Sequence, residues 1–228
     1  MAGFSAPRCI ANDLDAVLDA AAELQRRGRT DIKLVMIGDG NQKDRLVGRA
    51  KTEGLCNCLF FPPVKKTGIA RVSASFDCGL QILADVPAFY RGTSPNKFFD
   101  YISSGIPVVN NYPGWLADLI QTHRCGIAAP PKDATALADA LCALADNPEG
   151  GRVMGEAARR LTIEQFGRQE LASAVCGAAR AHGSWRSIDI SRFIFTAGFN
   201  QRSPRQQRRP PPRLIGTCHK LIEANGLS

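Results

Sequence analysis

No stretch of this 228-residue chain approaches the roughly 18 uninterrupted apolar residues of a membrane-crossing helix, and Met1 is not followed by the basic and then apolar segments of a secretion signal. The expected location is therefore cytoplasmic, with peripheral association at the inner face of the membrane as the one membrane role left open. Cysteines at framework spacing are lacking as well. Cys9, Cys56, Cys58, Cys78, Cys125, Cys142, Cys176 and Cys218 are scattered singly through apolar segments, which speaks against a disulfide-stapled fold and for reduced thiols. Cys56 and Cys58 stand one residue too close for a redox C-x-x-C pair and have no His or Cys partner at zinc spacing, so no metal site is expected. Histidines number only three, and His123, near a helix end, reads as a partner of the C-terminal helix dipole rather than a catalyst.

What the chain does contain is enough apolar material, 44%, for the core of one ordinary domain and too little for two large ones. Its formal charge of +8 is unevenly placed. Beyond Gly183, Arg186, Arg192, Arg202, Arg205, Arg208, Arg209, Arg213 and Lys220 face only Asp189 and Glu223, so most of the excess lies there. Residues 201–213 are rich in arginine and proline, with no apolar residue to offset the entropy of ordering. The expected organisation is a folded domain over 1–182 and a disordered basic tail over 183–228. Such a tail can meet nucleic acid or anionic lipid nonspecifically, but without interleaved aromatics it offers no base recognition, and no specific nucleic-acid partner is expected.

Within the first part, apolar residues recur at helical spacing over 12–27, with Asn12 or Asp13 as the cap and Gly28 as the stop. The run IKLVMI at 32–37 ends in Gly38-Asp39-Gly40, the pattern of a central parallel strand buried on both faces. The alternation repeats: helix 42–52, strand 59–61, helix 67–75, strand 78–83, helix 95–104, strand 107–110, helix 114–122, strand 126–129 and helix 134–145. A helix-like stretch over 149–181 follows, broken near Phe166-Gly167. Strands alternating with helices of this length predict an α/β fold, a doubly wound parallel sheet of Rossmann-like type.

The most informative segment is FYRGTSPNKFFDYISSGIPVVN, residues 89–110. Ser94 suits an N-cap, Pro95 the first helical turn, and Gly105 a left-handed stop before the next strand. In an open α/β sheet a loop followed by a helix N-terminus sits at the carboxyl ends of the strands, where ligands bind and helix N–H groups favour phosphate.

The ordered set S-P-N-K-F-F-D-Y-x-x-x-G-x-P-V-V from Ser94, VMIGDG and FFPPV before it, and GIAAPPKDATALADAL after it resembles the C-terminal domain of retaining GT-B glycosyltransferases. The likeness runs over residues 10–181. It is nearest the bacterial branch that builds O-antigen, capsule and exopolysaccharide, including transferases for N-acetylfucosamine-type sugars. The resemblance implies a nucleoside diphosphate sugar, UDP-linked, as donor substrate, with no separate cofactor. Asp100 would stand where the family has a glutamate on the ribose hydroxyls. The backbone of Thr93, Ser94, Pro95, Asn96 and Lys97 would cradle the distal phosphate and sugar, and Lys97 or Arg91 would bring positive charge to the leaving diphosphate. Pro63 and Val64 would face the base, and Gly38, Asp39 and Gly40 would let the chain approach the nucleotide. Each position also has a plainer reading: Asp100 as a solvated helix carboxylate, Lys97 and Arg91 as surface cations.

Some features depart from the family pattern. Gly92 stands where many members carry a glutamate for the donor sugar, and residues 1–10 keep only a trace of the usual opening strand and glycine-rich loop. The acceptor-binding half implied by the resemblance is not seen, so the expectation is a truncated or frameshifted product, inactive alone, with sugar transfer to a lipid-linked or saccharide acceptor as its ancestral chemistry. No catalytic residue is assigned. A non-catalytic nucleotide-sugar-binding subunit working with a separate acceptor-binding domain or chain remains the alternative, and a sugar-nucleotide epimerase a weaker one. A nicotinamide-binding reading fails because no third glycine follows Gly38 and Gly40 at the required spacing.

Overall fold

The computed structural model describes residues 1–5, 12–93 and 95–167. Strand and helix alternate as β1 (Ala2–Ser5), α1 (Leu14–Arg26), β2 (Leu34–Ile37), α2 (Lys43–Thr52), β3 (Cys58–Phe61), α3 (Lys66–Ser73), β4 (Cys78–Gln81), α4 (Pro87–Gly92), α5 (Asn96–Ser104), β5 (Val108–Asn110), α6 (Trp115–His123), β6 (Gly126–Ala128), α7 (Ala134–Asp146) and α8 (Pro148–Gln165). The six strands make one sheet in the order β3-β2-β1-β4-β5-β6, every pair parallel. This is the doubly wound α/β arrangement expected from the alternation. The order reverses between β1 and β4, the switch point at which such sheets bind ligands.

Helices cover both faces. One apolar core joins Val17, Leu18 and Leu24 of α1, Leu46 of α2 and Leu137 and Leu141 of α7 to Leu34, Met36, Leu80 and Val109 of the sheet. A second joins Phe98, Phe99, Tyr101 and Ile102 of α5, Leu116 and Ile120 of α6 and Leu161 of α8 to Val35, Ile37 and Val108. All four residues of β2 are buried, as its unbroken apolar run requires of an interior strand.

Three sequence expectations change. Residues 1–10 were expected to keep only a trace of an opening strand, yet Ala2–Ser5 forms β1, with β2 and β4 as its neighbours. Residues 87–92, read as loop, form the short helix α4. Pro95 takes an extended conformation (φ −82°, ψ 117°) at the N-cap, so α5 begins at Asn96 rather than with Pro95 in its first turn. Ser94, the expected cap, lies outside the described residues, as do the helix reading beyond residue 167, the boundary at Gly183 and the basic tail.

Candidate functional site

Because all strands are parallel, the loops that follow β1 to β6 share one edge of the sheet, and the candidate residues fall on that edge. Gly38 and Gly40 have φ of 140° and 143°, values open only to glycine, and allow the chain to turn sharply out of β2. Gly38 N–H donates to Phe61 O at 3.2 Å, so the loop carrying Gly38, Asp39 and Gly40 lies beside the end of β3. There Pro63 is exposed and Val64 half-buried. The Asp39 carboxylate accepts from Gly40 N–H at 3.0 Å and lies 3.7 Å from the Lys43 ammonium.

On the other side of β1 stands the β4–α5 connection. Arg91 belongs to α4, and Thr93 offers its carbonyl to Trp115 Nε1 at 3.3 Å. Helix α5 is drawn onto the sheet by Tyr101, whose ring lies where a side chain on Gly79 of β4 would be: a Cβ there would come within 2.3 Å of the ring. Tyr101 also donates its hydroxyl to Gly3 O in β1 at 3.2 Å. Asn96 is exposed and Asp100, one turn further on, is half-buried, while Phe98 and Phe99 between them face the core. Ser103 and Ser104 donate their hydroxyls to the Asp100 carbonyl at 3.0 and 2.7 Å.

Lys97 is not the surface lysine of the plainer reading. Only 9% exposed, it donates from Nζ to Asn12 Oδ1 at 2.9 Å. This bond joins the N-terminus of α5 to Asn12, two residues before α1, across the switch point. It also explains a missing cap: Asp13 sits at the N-cap of α1 with a left-handed backbone (φ 37°) and makes no side-chain capping bond, and Asn12 has turned its amide oxygen to Lys97.

Sequence reasoning missed a second group on the same edge. Asp13, Asp15, Gln42, Arg45, Asp85 and Lys132 line a cleft of about 290 Å³. Asp85 pairs with Lys132 Nζ at 2.8 Å and accepts the Tyr90 hydroxyl. Those two contacts, Lys132 first, hold the Asp85 carboxyl below its ordinary range. Asp13 is shifted the other way: burial first, then the charges of Asp15 and Asp19, push its carboxyl up. Asp15 is held low by Arg45, whose Nη1 lies 2.9 Å away, and by Arg49. Lys132, like Asp13, has a left-handed backbone (φ 54°), and two such non-glycine residues beside one cleft mark it for attention. Among the described residues no group of three or more His, Cys, Asp or Glu side chains is placed to hold a metal ion, and no helix is long and apolar enough to cross a membrane.

The described candidates thus fall into two groups. Gly38, Asp39, Gly40, Pro63 and Val64 lie at the ends of β2 and β3. Arg91, Thr93, Pro95, Asn96, Lys97 and Asp100 follow β4, and the place of β1 separates the two groups.

Among curated proteins, glycogen synthase of Mycobacterium tuberculosis is 24% identical over 208 residues, covering 90% of this chain and 44% of that protein. Among solved structures, Anabaena HepE in complex with UDP superposes with a TM-score of 0.63 at 15% identity, over 77% of this chain and 48% of that one. WaaG, a glycosyltransferase involved in lipopolysaccharide biosynthesis, gives 0.62 at 19% identity, over 80% and 47%. These likenesses place the sheet among GT-B glycosyltransferase folds, and the chain spans less than half the length of each relative. The family of glycosyl transferases group 1 matches residues 7–147. With well over half of its residues inside that match, the chain belongs to the glycosyl transferases group 1 family.

Proposed function

We propose that this chain is the donor-binding part of a glycosyltransferase, holding a nucleoside diphosphate sugar with a UDP leaving group along the carboxyl edge of the sheet. The observation that carries the reading is the buried Lys97 ammonium tied to Asn12, which brings a fixed positive charge to the switch point beside the α5 N-terminus. In this reading the base lies by Gly40, Pro63 and Val64, the ribose hydroxyls on Asp100, and the diphosphate and sugar along the backbone of 93–97. Lys97, with Arg91, and the helix N–H groups stabilise charge on the departing diphosphate, which can drive transfer without a metal. The UDP and UDP-glucose complexes of Anabaena HepE support the choice of base, and WaaG's part in lipopolysaccharide biosynthesis supports a lipid-linked or saccharide acceptor in cell-surface polysaccharide synthesis. The acceptor comes from a separate domain or chain, because orienting donor against acceptor is a large part of the barrier reduction. The O-antigen branch and N-acetylfucosamine-type donors are part of the same proposal.

The test is equilibrium binding of the purified full chain to UDP, GDP and ADP, with fold checked by circular dichroism. One-to-one binding of UDP, displaced by a UDP-sugar, is expected. A folded chain that binds none of the three would overturn the reading.

A further inference from the structure

Helix α4 is only six residues long, and Val86, Pro87 and Ala88 at its start are exposed, so these three add little apolar burial to hold it. Other contacts hold it. The half-buried Tyr90 ring stacks on Tyr112 with centroids 5.9 Å apart and planes 9° from parallel. Tyr112 is itself locked: only 1% exposed, its hydroxyl is bonded to Gln81 Nε2 at 3.1 Å, and its carbonyl accepts from Asn110 Nδ2 at 2.7 Å. At its other end the Tyr90 hydroxyl donates to Asp85, which Lys132 holds at 2.8 Å. Gly114 packs directly on the Tyr90 carbonyl, where a Cβ would approach to 2.8 Å, and its φ of 109° bars a side chain as well. Three residues after Tyr90, the Thr93 carbonyl accepts from Trp115 Nε1 at 3.3 Å. Both ends of the Arg91-Gly92 step are therefore fastened to the β5–α6 connection.

We propose that Tyr90 is a positioning residue for the distal phosphate of the donor: with Asp85 and Tyr112 on one side and Trp115 on the other, it sets the backbone from Arg91 to Thr93. The inference rests on the donor-site reading above and deepens it. Tyr90 itself touches no ligand. It acts by fixing where the amides after it point, and a fixed array of donors binds an anion better than one that must be ordered first. Burial, and then the hydrogen bond to Asp85, push the Tyr90 hydroxyl up to about 12, and Asp85 is held low, so the neutral phenol donates to a charged carboxylate throughout the ordinary working range.

The distal phosphate is isolated by comparing UDP with UMP, which share base, ribose and first phosphate. Calorimetric titration of the full-length wild type, Tyr90→Phe and Trp115→Phe with both nucleotides makes the comparison, and thermal melting reports any loss of fold. Tyr90→Phe keeps the stack and loses only the bond to Asp85. It is expected to weaken UDP about three- to tenfold, the loss of one hydrogen bond, while UMP stays within twofold. Trp115→Phe is expected to do the same from the other side. A general loosening of the domain would lower both affinities together, and an unchanged UDP-to-UMP ratio in both variants would overturn the inference while leaving the donor site standing. Absence of UDP binding by the folded wild type would overturn the donor-site reading, and this inference with it.

Discussion

Lys97 and Asn12 are 85 residues apart in sequence, yet the Lys97 ammonium donates to the Asn12 amide oxygen at 2.9 Å, tying α5 to the loop that follows β1. A buried ammonium is costly unless its charge is used or compensated, so an apolar side chain of similar length removes that cost along with the bond to Asn12, and the two effects on the fold oppose each other. Lys97→Met therefore separates structure from function. The melting temperature should change by no more than a few degrees, while affinity for UDP falls more than tenfold, as expected when a charged hydrogen bond to phosphate is lost. Unchanged UDP affinity in the folded variant would return Lys97 to a purely structural part.

Gly79→Ala tests how α5 is seated. A Cβ at this position would meet the Tyr101 ring at 2.3 Å, and Tyr101 is a fully buried side chain that cannot swing away into solvent. Overpacking of this kind costs about 1–3 kcal/mol. Urea denaturation should show a loss of at least that size, and a variant as stable as wild type would mean that α5 can shift freely on the sheet.

The Asp85 carboxyl lies below its ordinary value of 3.8 because of Lys132 first and Tyr90 second. A carboxyl lowered by folding stabilises the folded state above its unfolded pKa, and that contribution is lost as pH falls through the lower folded value. The Lys132–Asp85–Tyr90 linkage should thus persist unchanged from neutral pH down to about 4 and open only below 3.8. Carboxyl-carbon NMR would follow it directly. The Asp85 midpoint should lie under 3.8 in the wild type and move up in Lys132→Met; a wild-type midpoint at or above 3.8 would show that the pairing does not exist in solution.

How far the fold could be read from the sequence depended on how local each signal was. β2 was legible because Leu34, Val35, Met36 and Ile37 form an unbroken apolar run, and α1 because Leu14, Val17, Leu18, Ala21 and Leu24 repeat at helical spacing. β1 carries no such mark. Its Ala-Gly-Phe-Ser has little strand propensity, and Gly3 is needed because Phe76 lies within 2.0 Å of where a Cβ would be; its neighbours on the sheet make it a strand. α4 was hidden by its shortness and by the proline and glycine at its ends, which punctuate loops as readily as helices. The candidate residues around α5 were visible because they are contiguous. Asp13, Asp85 and Lys132 were not, since each is ordinary where it stands and only the parallel topology gathers them at one cleft. Of the two cap candidates Asp13 takes the N-cap position, and that Asn12 is engaged elsewhere was hidden for a related reason: its partner, Lys97, is supplied by a distant helix.

Titration of wild type and Asp100→Ala with UDP and 2′-deoxy-UDP in a calorimeter asks whether the carboxyl edge around α5 holds a nucleoside diphosphate. If Asp100 accepts from the ribose hydroxyls, its removal costs about 1.5–3 kcal/mol, so UDP affinity falls roughly ten- to a hundredfold while circular dichroism stays native. The deoxynucleotide should lose much less, because part of the same interaction is already missing from it. Equal UDP affinity in the two folded proteins would contradict the account and leave Asp100 a solvated carboxylate on the face of α5.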